Sequence, residues 1–214
     1  MKAIYLLSGL GADERVFHYL DLSPYEVHYI RWITPLKEEK MAAYARRLCD
    51  QIHSPRPVLL GVSFGGMMAI EIAKQLDVEK VVQVSSVKLR SELPLLYRII
   101  GQLKLNRLVP GFLLKKVNPL LYWFFGTTSD EDKILLKAII ESTDTVFLKW
   151  AVDQIVNWKN ETKFNNLFQI HGTSDRLLPH RNPDFSISGG GHLMVVNRAG
   201  EIDVAVATAL MAVD

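Results

Sequence analysis

The chain has 214 residues, 49% of them hydrophobic and 22% charged, enough apolar material to bury a full core in one domain and too little charge for a disordered chain. A formal net charge of +2 gives no argument for a nucleic-acid partner. The only cysteine, Cys49, excludes an internal disulfide and reads as a small apolar filler in a protein of a reducing compartment.

The first predicted element is a buried strand over residues 3–7, a short apolar run that ends in the loop Ser8-Gly9-Leu10-Gly11 and reads as a strand rather than a signal peptide. Asp13 is placed to cap a short helix running to about Leu20, and residues 27–32 form the second strand. Residues 38–52 read as a helix, with Met41, Tyr44, Ala45, Leu48 and Ile52 at three- and four-residue steps until Pro55 and Pro57 end it. Strands over 58–62 and 80–85 enclose a helix over 64–76. Residues 88–163 then change character and read as helical throughout, broken by proline and glycine. Strands return over 167–171 and near 185–188, and a last helix spans about 201–211.

Strands that are apolar on both faces and alternate with helices imply a mainly parallel sheet covered on both sides. The helical stretch enters just after a strand, at the kind of sheet edge where ligands bind, so it is placed to act as a lid. The expected division is a core of residues 1–87 and 164–214 with a cap of 88–163. No window is long and apolar enough to cross a membrane.

The chemistry is concentrated at Gly61-Val62-Ser63-Phe64-Gly65, a G-x-S-x-G pattern where a strand becomes a helix. Small residues two before and two after the serine permit a very sharp turn. The following helix offers N–H groups and a dipole that favour negative charge there. A serine hydroxyl is a weak nucleophile without a base, and histidine has the right basicity. Of His18, His28, His53, His171, His180 and His192, only His192 follows a strand and three glycines, Gly189-Gly190-Gly191; the other five have plainer structural or solvated readings. Asp175, in the loop after the strand over 167–171, is the favoured acid to orient the imidazole, with Asp184 as its rival. Backbone N–H groups of Phe64 and Leu10 are the expected oxyanion donors.

Together the loop Ser8-Gly9-Leu10-Gly11, the Gly61–Gly66 elbow, the segment His171-Gly172-Thr173-Ser174-Asp175-Arg176 and Gly191-His192 resemble the α/β-hydrolase superfamily over nearly the whole chain. The resemblance implies six strands in a mainly parallel sheet, flanked by helices and roofed by a helical cap. Three departures mark a minimal version of the fold. The first loop begins Ser-Gly where His-Gly is usual, the chain starts at what is normally the third strand, and only sixteen residues separate Asp175 from His192.

The expected activity is a cytoplasmic serine hydrolase acting on a small or medium carboxylic ester or thioester, with no cofactor and no metal, since neither H-E-x-x-H nor G-x-x-x-x-G-K is present. A lyase, a C–C bond hydrolase, an acyl transferase and a non-catalytic binding pocket stay open on the same fold. Substrate contacts are not assigned; Arg15, Arg90 and Arg176 are candidates to bind a carboxylate. The stretch 93–129 lacks Asp and Glu but carries Arg98, Lys104, Arg107, Lys115 and Lys116. That basic rim suits anionic substrates, an acyl carrier protein or a membrane surface, against a plainer reading as a lid with solvated lysines outside and an apolar face inside. Ser85 and Ser86 are candidate pocket residues or turn formers. Asn160-Glu161-Thr162 matches a glycosylation acceptor, discounted without a secretion signal.

Overall fold

The computed structural model describes residues 1–179 and 182–211, so His180 lies outside the described residues. Strand β1 (Lys2–Leu7) leads through a 3-10 turn (Glu14–Phe17) to β2 (Tyr25–Tyr29). Helix α1 (Met41–Leu48), continued by a 3-10 turn (Cys49–Gln51), precedes β3 (Val58–Val62), α2 (Phe64–Ala73) and β4 (Lys80–Val84). Only helices follow up to residue 157: 3-10 turns Arg90–Glu92 and Leu105–Leu108, α3 (Leu95–Gln102), α4 (Gly111–Leu114), α5 (Pro119–Phe125), α6 (Asp130–Ser142) and α7 (Thr145–Asn157). Strands β5 (Leu167–Gly172) and β6 (Phe185–Ile187), then α8 (Met194–Asn197) and α9 (Ala199–Met211), complete the described chain.

The six strands form one sheet in the order β2-β1-β3-β4-β5-β6, and every pairing is parallel. Strand β1 alternates its side chains between two layers. Ile4 and Leu6 face a core shared with Val58, Leu60 and α9, while Tyr5 and Leu7 face a core shared with α1 and α2. All five residues of β3 and of β4 are buried; β3 reads as a continuous apolar run for that reason, whereas β4 buries Lys80 and Gln83 among its valines. The chain leaves β1 outward to β2 and returns across it to β3, so the order reverses between β1 and β3. The loops at the carboxyl ends of these two strands flank a crevice, where open α/β sheets bind ligands. Among the described residues no helix is long and apolar enough to cross a membrane.

Several elements are shorter than their sequence patterns predict, and for β2 and α1 side-chain hydrogen bonds explain why. The turn after Asp13 is one 3-10 turn that buries Val16 and Phe17, and Leu20 beyond it packs partly buried on the same core. Strand β2 ends at Tyr29. Beyond it Gln51 takes both backbone groups of Arg31, and the Tyr44 hydroxyl takes both of Ile33. Helix α1 starts at Met41 because Glu38 has φ 59° and Glu39 spends its carboxylate on the Leu36 N–H and on Arg47.

Candidate active site

Ser63 stands between β3 and α2 with φ 53° and ψ −118°, a conformation that costs a non-glycine residue energy and persists only where its surroundings enforce it. Its N–H donates to the Val84 carbonyl at 2.9 Å, and its carbonyl accepts from the Ser86 hydroxyl at 2.7 Å. The glycines make the turn possible. A Cβ on Gly61 would collide with the Gly65 backbone, and one on Gly65 with the carbonyls of Leu7 and Ser8. Ser85 and Ser86 are wholly buried and do not line the cavity; Ser86 instead braces the elbow from behind.

The imidazole arrives on the loop after β6. Gly189 has φ 71°, Gly190 packs against Gly172, and Gly191 packs against Gly126. The loop that carries the acid is tied to it: Thr173 N–H donates to the Ile187 carbonyl at 3.0 Å and Ser174 N–H to the Gly190 carbonyl at 2.9 Å. Nε2 of His192 lies 2.8 Å from Ser63 Oγ, and Nδ1 lies 2.8 Å from Asp175 Oδ2. A carboxylate only accepts, so Nδ1 carries the proton in the neutral ring and Nε2 faces the hydroxyl as an acceptor.

Asp175 is 5% exposed. Its second oxygen accepts from the N–H groups of Leu177 and Leu178, both at 2.9 Å. Burial pushes this carboxyl up, but attraction to His192 and hydrogen bonds from His171, His192 and Leu178 outweigh it and hold the group far below the usual carboxylate range. The rival Asp184 is committed elsewhere, accepting from Gln169 N–H at 2.8 Å and pairing with Lys88 at 3.3 Å.

Facing the elbow is the loop after β1. A Cβ on Gly9 would stand 3.5 Å from Ser63 Cβ, so this backbone passes directly beside the hydroxyl. Ser8, where a histidine was the usual residue, donates to the Ala12 carbonyl at 2.6 Å and accepts from the Trp32 indole at 3.0 Å. Those bonds and the Ala12-to-Gly9 backbone bond fix the loop that presents Leu10. Phe64 N–H belongs to the first turn of α2, where backbone donors have no partner within the helix.

Ser63 and His192 open onto a cavity of about 460 Å3, within the range of about 300–1,000 Å3 typical of small-molecule sites. Gly9, Leu10 and Phe64 also line it, and Tyr97, Ile100, Leu121, Phe125, Ile140 and Val152 contribute to walls from the helical segment. Among the described residues no charged side chain lines it. The ring of Phe125 stands edge-on to that of His192, with centroids 5.4 Å apart.

The structure thus brings Ser63, His192 and Asp175 into one line and Leu10 and Phe64 to the same cavity. It does not bring the candidate carboxylate binders there: Arg15 pairs with Asp13, Arg90 bonds the Trp158 carbonyl, and Arg176 bonds the Trp123 carbonyl and stacks on its ring. Asn160 is 3% exposed and its amide is used within its own turn and at Lys88. Among the described residues no cluster of His, Cys, Asp or Glu is arranged to hold a metal. His171 was passed over in the sequence. Its Nε2 bonds the Leu178 carbonyl at 2.7 Å and reaches Asp175 Oδ2 at 3.2 Å. The signal it carried was its place at the head of the segment bearing the acid, four residues before Asp175 and next to last in β5.

No protein-family model and no curated protein matches the sequence. Solved structures do. A bromoperoxidase from Bacillus anthracis superposes with a TM-score of 0.70 at 19% identity, covering 99% of this chain and 93% of its own. An esterase from Exiguobacterium antarcticum gives 0.71 at 14% identity over 99% and 92%. An α/β-hydrolase fold protein from Burkholderia ambifaria gives 0.66 at 14% over 97% and 90%. At these identities the likeness establishes the fold: the chain has the α/β-hydrolase fold.

Proposed function

We propose that the protein is a serine hydrolase that cleaves carboxylic esters or thioesters with an apolar acyl group. The observation that carries this reading is the unbroken line from Ser63 Oγ through His192 to Asp175, opening on an uncharged cavity. In this mechanism Ser63 Oγ attacks the carbonyl carbon as His192 Nε2 takes its proton. Asp175 fixes the ring and stabilises its charged form. The N–H groups of Phe64 and Leu10 hold the oxyanion, each worth about 3 kcal/mol of barrier. The bond to the leaving oxygen or sulfur then breaks, and His192 returns the proton to that atom. Water adds to the acyl-enzyme with His192 again as base, and the carboxylic acid departs as Ser63 regains its proton. Residues 88–163 act as a cap inserted into a core of 1–87 and 164–214, and exclude water from the acyl group.

The esterase among the structural neighbours is consistent with this reading. The test is hydrolysis of a p-nitrophenyl ester series by wild type, Ser63→Ala and His192→Ala, with fluorophosphonate labelling beside it. Loss of about 10⁴- to 10⁶-fold in kcat in either variant, with the double variant hardly worse, is expected of groups that act as a unit. A labelled Ser63 with no ester turnover points to lyase or transferase chemistry. An unlabelled Ser63 overturns the nucleophile itself.

A further inference from the structure

The helical segment over the cavity is apolar on both sides. Tyr97, Ile100, Leu114, Leu121 and Phe125 line the cavity. The same helices turn other large apolar side chains outward: Leu95, Leu96 and Ile99 on α3, Phe112 and Leu113 on α4, Leu120 and Trp123 on α5, with Leu103, Leu105 and Leu108 between α3 and α4. Among the described residues, ten of the eighteen large apolar side chains that stay exposed fall within residues 95–123. Leu103 is 63% exposed, Leu108 77% and Phe112 65%. Helices apolar all round normally have something covering each face. Neighbouring contacts hold the segment together as one roof: α3 and α4 both pack on α7, and α3 and α5 both bond the 176–177 loop through Tyr97 and Trp123.

Charge decides what covers this face. The segment 93–129 holds five cations, Arg98, Lys104, Arg107, Lys115 and Lys116, and no carboxylate. Arg107 is paired with Asp153 on α7, and Lys104 and Lys116 are exposed. A second copy seated on this face by two-fold symmetry would bring like charges together. A protein partner is ordinarily gripped through buried Trp, Tyr and Arg, with Leu under-represented; here seven of the ten outward residues are Leu. Leu, Phe and Trp interleaved with Lys and Arg on short surface helices is the composition of an interfacial segment.

We propose that the outer face of residues 95–123 docks on an anionic lipid bilayer surface, with its leucines, Phe112 and Trp123 in the acyl boundary and Lys104, Lys115 and Lys116 at the headgroups. The docking stands on this surface alone. Its corollary rests on the ester-hydrolase reading: the roof of the cavity meets the membrane, so the substrate is an amphiphilic ester drawn from the bilayer.

The experiment measures binding without turnover, so that its failure is separable from failure of the hydrolase reading. The Ser63→Ala protein is co-sedimented with phosphatidylcholine vesicles, with and without about one-third phosphatidylglycerol. Expected are binding to the anionic vesicles, weakening with salt, and a loss of at least about tenfold in Lys104→Glu/Lys116→Glu. Leu103→Ser/Phe112→Ser is expected to lose a similar factor or more. None of these four side chains lines the cavity, so in the otherwise wild-type chain both variants retain hydrolysis of a soluble short-chain ester. No binding to anionic vesicles overturns the proposal. So does binding that neither variant weakens, which would place it on another surface. A wild-type dimer that Leu103→Ser/Phe112→Ser converts to monomer, or saturable binding of an acidic carrier protein in place of vesicles, assigns the face to a protein and overturns it as well.

Discussion

His171 and His192 converge on one carboxylate oxygen: Asp175 Oδ2 lies 2.8 Å from Nδ1 of His192 and 3.2 Å from Nε2 of His171. The shorter bond of His171 Nε2 goes to the Leu178 carbonyl, which only accepts, so this nitrogen carries a proton. His171 therefore positions Asp175 without approaching the serine. Replacing it by phenylalanine removes that donor from a site that is 1% exposed, at a cost of about 1–3 kcal/mol in stability. We predict that in His171→Phe kcat falls about tenfold or more while KM stays near wild type, since the cavity wall is untouched. A rise in KM with unchanged kcat would place His171 in substrate binding instead.

Asp175 also makes a pH prediction. Its carboxyl is held well below the usual range in the fold, against about 3.9 when unfolded. A depressed native value means that the unfolded chain binds the proton more readily at low pH. The contribution of Asp175 is thus fully present above the unfolded value and is lost as pH falls through the native one. Urea unfolding at stepped pH should show wild type and Asp175→Asn separated by a gap that narrows below about pH 4. A gap that widens there would mean the carboxylate is not stabilised by the fold.

The two glycines that flank Ser63 in space should separate fold from function. A methyl on Gly65 meets the carbonyls of Leu7 and Ser8, rigid backbone at the end of β1. A methyl on Gly9 meets Ser63 Cβ at 3.5 Å and the Val62 carbonyl at 3.7 Å, ordinary contacts. Gly65→Ala is expected to lose about 1–3 kcal/mol or more of stability together with activity. Gly9→Ala should keep its melting temperature and lose kcat/KM, because the methyl occupies space beside the Ser63 side chain. Equal thermal losses in both variants would contradict this placement of the loop.

What the sequence could and could not disclose follows from how local each signal is. Strand β3 was readable to the residue because it is buried on both faces, and Ser63 was readable because the elbow demands glycines at fixed offsets. The loops bearing Asp175 and His192 were marked the same way, by glycine and turn residues after strands. The ends of β2 and α1 were not readable, because Gln51, Tyr44 and Glu39 capture backbone groups through contacts that no local pattern encodes. His171 and Ser86 escaped for a related reason. Each acts through a neighbour brought close by folding: His171 opens the segment that ends at Arg176, but nothing local to it or to Ser86 tells which atom it will touch. The outward apolar face of residues 95–123 was missed because a helical pattern gives apolar positions but not which side remains uncovered.

The cavity wall supplies the most direct test of substrate size. Val152 on α7 lines the cavity and is only partly buried, so a larger side chain can be accommodated there with little overpacking of the main core. Val152→Phe adds bulk inside a space of about 460 Å3 and leaves Ser63, His192 and the loop after β1 in place. Each methylene that no longer enters the cavity forfeits about 0.8 kcal/mol, roughly fourfold in binding. Across the p-nitrophenyl series the optimum should therefore move to shorter acyl chains. Acetate should be cleaved at close to the wild-type rate, and esters two carbons beyond the new limit should lose about tenfold or more in kcat/KM. If long and short esters fall by the same factor, the acyl chain does not lie along this wall. If neither falls, it occupies another part of the cavity. Either result would redirect the search to the walls built by α5 and α6, where Leu121 and Ile140 are the corresponding positions to enlarge.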